Sequence, residues 1–299
     1  MSQLRHDPLS GRDVIIAAGR AARPNTFATS HDDGASVSNC PFCPGNESAT
    51  PPEVARVGQG LPDQPGWQVR AFPNLYPIVE AHEVVVLSPD HRSFAELGDD
   101  EAASVFTVLR DRAHAHLEAG HAYGVAILNH LRAAGASIAH PHAQVFALDV
   151  VPPAVEAAVA RARAADVDLV QQDGASEELL VARTDGVTVW CPAASTSPYL
   201  LRLAHDAARE RFDLASDDVI RATAVALRHT LARLRDALGD VPYNVVAHTA
   251  PRAGTPFHWY LEVIPRVSVI AGFEQATGIL VNTVPPDQAA EVLRASVLP

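Results

Sequence analysis

The chain has 299 residues, 47% hydrophobic and 19% charged, enough for one large or two medium domains with a substantial core. A net charge of −12 excludes a general nucleic-acid binder, which would need a basic surface, and no apolar run reaches membrane-spanning length. All 23 basic residues are arginine, so no P-loop or Schiff-base lysine exists, and bound phosphate must be met by arginine, histidine or backbone N–H groups.

The polar start MSQLRHDPLSGRD lacks a signal-peptide core, and three cysteines do not make a disulfide scaffold, so a cytoplasmic protein is expected. Val14, Ile15 and Ile16 predict a short strand. Arg20 and Arg23 follow in a loop stopped by Pro24, suited either to gripping a phosphate or to solvated loop charge. The spacing of Cys40 and Cys43 in NCPFCPGNE is that of many zinc sites. Pro44 and Gly45 disfavour the helix that follows a thioredoxin-like pair, although redox use stays open. Two further metal ligands would have to come from His82, His91 or His140. In VRAFPNLYPIV (69–79), Phe72 could lie against a base and Asn74 against a ribose, or Phe72 could pack in the core.

A strand over 84–87 is followed by a helix capped by Asp99 and Asp100, carrying Val105, Phe106, Leu109 and Leu117 and ended by Gly120. The strand YGVAILNH ends at Asn129 and His130 and leads to GASIAHPHAQVFAL (135–148). Gly135, Ala136 and Ser137 predict a turn that an anion can approach closely. On an extended strand His140, His142 and Gln144 share one face. Such histidines serve as metal ligands, general bases or nucleophiles toward phosphorus, against the plainer alternative of a hydrogen-bonded surface pair.

The pattern then repeats. A helical connector at 153–163 and the strands LLVAR and VTVWCP lead to His205, a helix from Ser216 to Gly239, the strand YNVVAHT and the segment FHWYLEVIPR. His258, Trp259 and Tyr260 thus mirror His140, Pro141 and His142. The expectation is an α+β chain of two tandem units, 1–150 and 151–299, forming one pseudo-symmetric antiparallel sheet with helices packed on it. In the tail, a Gly-punctuated loop holding Phe273 and Glu274 precedes a strand and a proline-capped helix.

Taken in order, RHDPLSGRDVIIAAGRAARP, CPFCPGNE, RAFPNLYP, VVVLSPDH, LNH with GASIAHPHAQV, HWYLEVIPR and AGFEQATGILVNTVPP resemble the galactose-1-phosphate uridylyltransferase family of the histidine-triad superfamily, nearly end to end. The resemblance implies a nucleotidyltransferase working by double displacement, with His142 as nucleophile and Gln144 holding the bound phosphoryl oxygens. Cys40, Cys43, His91 and His140 would hold one structural zinc ion. Asn129, Gly135 and Ser137 would contact phosphate, Arg20 and Arg23 the sugar phosphate, Phe72 and Asn74 the nucleoside, and Phe273 and Glu274 the sugar. Homodimers are implied as well. A second metal, held in some members by a glutamate and three histidines, would lack ligands here: His248 and His258 are present, but Tyr260 and Ala158 stand at the other positions.

The reaction expected first is UDP-glucose:hexose-1-phosphate uridylyl transfer, with a nucleotide sugar and a sugar 1-phosphate as partners. The alternatives are an ADP-sugar or dinucleotide phosphorylase passing AMP to phosphate, a histidine-triad hydrolase, and a nucleotide-binding protein without catalysis.

Overall fold

Strands β1 (Gln3–His6) and β2 (Asp13–Ile16) form an antiparallel hairpin at the start of the computed structural model, which describes residues 2–19, 40–209, 211–253 and 257–296. Arg20 and Arg23 lie outside the described residues. The first half continues with β3 (Ala55–Gly58), β4 (Trp67–Pro73), β5 (Ala81–Val86), α1 (Asp99–Glu118), β6 (Tyr123–His130) and β7 (His142–Leu148). The second contains α2 (Pro153–Ala164), α3 (Leu169–Asp173), β8 (Leu180–Thr184), β9 (Val187–Trp190), β10 (Leu201–His205), α4 (Asp217–Leu238), β11 (Tyr243–His248) and β12 (Tyr260–Pro265). The short helix α5 (Gly272–Thr277), β13 (Leu280–Asn282) and α6 (Pro286–Ala295) close the chain.

Ten strands make one sheet in the order β3, β4, β5, β7, β6, β11, β12, β10, β9, β8, and every neighbouring pair is antiparallel. The order reads the same from either edge once the halves are equated, so two α+β units meet at the seam where β6 pairs with β11 and Asn129 faces Asn244. A smaller sheet joins the chain's two ends, with β13 running parallel to β2.

Alternation on β7 decides which face of the large sheet carries chemistry. Ala143 and Val145 are buried in the main core with Val105 and Leu109 of α1, and Ala147 is buried as well. His142, Gln144 and Phe146 fall on the opposite face, because successive strand residues point to opposite sides. Helix α4 begins at Ser216, whose hydroxyl accepts from the Val219 N–H, and its stripe of Val219, Ile220, Ala224, Leu227, Leu231 and Leu234 is buried. Burying each such leucine contributes about 1.5–3 kcal/mol, so Leu227→Ala should cost about 2–5 kcal/mol.

Three details differ from expectation. Gly98, not Asp99 or Asp100, occupies the N-cap of α1; its N–H donates to Glu101 Oε2 at 2.7 Å, while both aspartates sit in the first turn and favour its positive end. His140 precedes β7 rather than lying on it. Strand β10 escaped sequence reading because Arg202 interrupts its apolar run, yet that arginine is 1% exposed and held by Asp7 and Asp173. Among the described residues no helix is long and apolar enough to cross a membrane.

Candidate active site

The CPFC segment folds as a tight knuckle. Cys43 N–H donates to the Cys40 carbonyl (3.3 Å), Phe42 N–H points at Cys40 Sγ (3.4 Å), and Asn46 Nδ2 donates back to the Cys40 carbonyl (2.8 Å). Glu47, buried, braces the knuckle by accepting from Gly45 N–H and Trp67 Nε1, each at 2.9 Å. Opposite the sulfurs stand two imidazoles: His140 Nδ1 lies 3.5 Å from Cys40 Sγ and 3.7 Å from Cys43 Sγ, and His91 Nε2 lies 3.3 Å from Cys43 Sγ. All four donor atoms fall within 4.8 Å of one another.

Two sulfurs and two imidazole nitrogens fit a four-coordinate zinc ion, whose bonds of about 2.0–2.3 Å set ligand atoms roughly 3.3–3.8 Å apart. Burial holds His140 down at about 4, so its Nδ1 offers a lone pair, while its Nε2–H donates to the Ser88 carbonyl at 2.9 Å. Burial and the neighbouring Cys40 push the Cys43 thiol up; a dication between the sulfurs would reverse that preference. Among the described residues this is the one cluster able to hold a metal. His82, a possible ligand from the sequence, stands elsewhere.

The nucleophile candidate is defined by one hydrogen bond. His142 Nδ1 lies 2.9 Å from the His140 carbonyl oxygen, which can only accept, so the proton sits on Nδ1 and Nε2 carries the lone pair. Burial lowers its pKa, keeping the ring neutral, and 6% of the residue is exposed. Phe42 packs edge-on against His142 with centroids 5.3 Å apart, so the metal knuckle and the nucleophile share one wall.

Gln144 follows on the same face, its Oε1 2.8 Å from His82 Nε2. Asn129 is the penultimate residue of β6, and its Oδ1 accepts from Asn244 Nδ2 at 2.6 Å. Beyond it the chain turns sharply through Leu131, with φ +65°, and through Gly135, in the left-handed region at φ +98° where a side chain would be strained. Asn129, Ser137 and Pro141 line a cleft of about 590 Å³ beside this turn.

The structure therefore gathers Cys40, Cys43, His91 and His140 at one point, sets His142 and Gln144 on the adjoining strand, and lines the neighbouring cleft with His91, Asn129 and Ser137, Gly135 lying beside Asn129. Phe72 is 2% exposed and packs edge-on against Phe42, with Arg70 over its ring, so it supports the knuckle from the core. Asn74 turns toward His82, 3.1 Å from its Nε2. Phe273 and Glu274 sit on α5, where Glu274 accepts from the Ala271 N–H; among the described residues neither bonds to the histidine row. Sequence reading missed Phe42, Asn244 and the bond from His82 to Gln144. The Asn129–Asn244 contact across the seam was implicit in the repeat.

The second unit is built differently. His258 donates through Nε2 to the His205 carbonyl, as His140 does to Ser88, but its Nδ1 meets Asp168 at 2.8 Å, and Arg209 pairs with the same carboxylate. His248 stacks on Tyr260 and lies 3.4 Å from Glu262, while Ala158 borders a separate cleft of about 410 Å³.

An ADP-glucose phosphorylase of Arabidopsis thaliana is 29% identical over 333 residues, spanning 98% of this chain and 92% of that protein. Its crystal structure with bound ADP-glucose superposes with a TM-score of 0.89 at 27% identity over all of both chains. A galactose-1-phosphate-uridylyltransferase-like protein from Arabidopsis thaliana gives 0.83 at 27% identity over 99% of this chain and 100% of that one. A uridylyltransferase structure gives 0.74 at 23% identity over 99% and 98%, a likeness of fold. By fold and by these relatives the chain is similar to nucleotidyltransferases of the galactose-1-phosphate uridylyltransferase type. The chain belongs to the family described as domain of unknown function DUF4921, whose profile matches residues 90–298.

Proposed function

We propose that the chain transfers AMP from an ADP-sugar, with ADP-glucose as the first candidate, to inorganic phosphate through an adenylyl group carried on His142. The observation that carries the chemistry is the bond from His142 Nδ1 to the His140 carbonyl, which leaves Nε2 as a neutral nucleophile. The ADP-glucose phosphorylase, matched over nearly its whole length, supports adenine over uracil and phosphate over a hexose phosphate.

In the first step His142 Nε2 bonds to the α-phosphorus while the bond from that phosphorus to the bridging oxygen breaks, and glucose 1-phosphate leaves with the electron pair. The ring becomes cationic on forming the bond, and its Nδ1–H, held by the His140 carbonyl, disperses that charge without any proton moving. In the second step an oxygen of inorganic phosphate attacks the same phosphorus, ADP forms, and His142 is released neutral. Most of the catalysis is positioning and charge stabilisation. Gln144 and Asn129 would contribute amide donors, Ser137 a hydroxyl, and the residues 135–139 backbone N–H groups. A zinc ion on Cys40, Cys43, His91 and His140 would supply rigidity, and the fixed His140 carbonyl in turn orients the nucleophile. Roles for Arg20 and Arg23 at the sugar phosphate, and for Phe273 and Glu274 at the sugar, belong to the same reading, as do a homodimer and a cytoplasmic setting.

Uridylyl transfer from UDP-glucose to a hexose 1-phosphate, the reaction the family resemblance put first, is the second reading. Intact-mass spectrometry after incubation with ADP-glucose or UDP-glucose separates the two. The expected result is an AMP adduct from ADP-glucose that phosphate discharges as ADP, absent from His142→Gly. A UMP adduct discharged only by hexose 1-phosphate would overturn the proposal in favour of the second reading.

A further inference from the structure

Gln144 must face a phosphoryl group with its amide nitrogen, because its carbonyl oxygen would repel the anion. A terminal amide rotates freely unless something holds one end. His82 is 4% exposed on β5, stacked on Phe146 with ring centroids 4.1 Å apart, and its Nε2 lies 2.8 Å from Gln144 Oε1. Its other nitrogen settles the tautomer. The Ile78 backbone N–H points at His82 Nδ1 from 3.3 Å, so Nδ1 is an acceptor and the proton resides on Nε2. Asn74 Nδ2, 3.1 Å from Nε2, would suit the opposite tautomer, but that tautomer sets N–H against N–H at Ile78 and lone pair against oxygen at the shorter Gln144 contact, two conflicts against the one at Asn74. Asn74 Oδ1 is meanwhile taken by the Tyr76 N–H at 2.8 Å, which fixes that amide independently.

We infer that His82 is a positioning residue: its Nε2–H occupies the Gln144 oxygen and thereby turns the Gln144 amide nitrogen toward the phosphorus bound at His142. Among the described residues that nitrogen has no other partner. The device rests on the adenylyl-transfer reading above and deepens it. A reversed amide replaces a charge-assisted hydrogen bond with repulsion, so losing the anchor should slow adduct formation about 10- to 100-fold.

His82→Phe and His82→Met each keep an apolar body against Phe146 and remove the donor. Single-turnover adduct formation with ADP-glucose is followed by quenched-flow mass spectrometry in the wild type, in both variants, in Gln144→Ala and in the double variants. Equilibrium binding of ADP-glucose is measured in a His142→Asn background. The expected result is adduct formation slowed about 10- to 100-fold by either His82 substitution, binding changed less than about threefold, and no further slowing when His82 is replaced in Gln144→Ala. An equal slowing in the Gln144→Ala background, an unchanged rate, or loss of folding in both variants would make His82 a packing residue and overturn the inference. A wild-type chain that forms no nucleotide adduct overturns the adenylyl-transfer reading, and the inference with it. A wild-type adduct with indifferent His82 variants overturns the inference alone.

Discussion

Glu83 offers the sharpest test of how the sheet beneath the active face is held together. It follows His82 on β5 but points the other way, toward α1, where it is 4% exposed. Arg112 grips it with two bonds of 2.8 and 2.7 Å, and His116 Nε2 approaches to 3.0 Å. Burial by itself would raise the carboxyl, but Arg112 and His116 outweigh it and bring it from 4.5 down to about 2. Because the folded pKa lies below the unfolded one, the stabilisation is present above about pH 4.5 and is lost as pH falls through the folded value. The shift corresponds to about 3 kcal/mol at neutral pH, falling to about 2 kcal/mol near pH 3.5. Glu83→Gln keeps the shape and removes the charge, so urea unfolding should show a deficit of about 3 kcal/mol at pH 7 that narrows on acidification. Adduct formation in the folded variant should stay within about twofold of wild type, since Glu83 faces away from His142. A deficit under about 1 kcal/mol, or one independent of pH, would refute this account of the pair.

Cys43→Ser should lower bound zinc from about one equivalent to near zero, read by elemental analysis of the purified protein, and slow adduct formation through the loosened His140 carbonyl. Asn244→Ala frees the Asn129 oxygen and should slow adduct formation about tenfold in the same single-turnover assay, with a smaller change in ADP-glucose binding. Arg202→Met leaves Asp7, Asp173 and Glu262 crowded without their cation and should cost about 3–5 kcal/mol in urea unfolding.

Much of this was legible in the residues because the signals were local. The alternation of HAQVFAL, the apolar stripe of α4 and the repeat of helix, strand and histidine pair predicted the mirrored sheet. The thiol spacing in CPFC limited the metal site to a few partners. What escaped depended on contacts between distant segments. Nothing around Arg202 announces that Asp7, 195 residues away, will neutralise it in the core, so β10 did not read as a strand. His82 looked like a possible ligand because histidines are interchangeable on paper; only the Ile78 N–H on one nitrogen and Gln144 on the other give it a different task. Phe72 could be read as a base platform, although core packing is the commoner fate of such an aromatic, and its packing against Phe42 was beyond reach of periodicity.

The pairing register explains why two copies of one sheet yield one reactive row. Val84 lies opposite Gln144 on β5 and β7, and Arg202 lies opposite Glu262 on β10 and β12, so Arg202 takes the place of Val84, and Tyr260 that of His142. A valine beside Gln144 leaves the face neutral, whereas a guanidinium there must be met by carboxylates, and Glu262, Asp173 and Asp7 close over it. Tyr260, 3% exposed beneath that cluster with Arg202 5.5 Å from its ring, has its pKa pushed far up by burial and has no imidazole lone pair to offer phosphorus. Asp7 belongs to the loop between β1 and β2, so the ion cluster that fills the second row also ties the hairpin preceding Arg20 and Arg23 to the large sheet. One unit thus keeps a row of neutral side chains at these positions, and its mirror spends the same positions on fastening the β1–β2 hairpin to the second half of the large sheet.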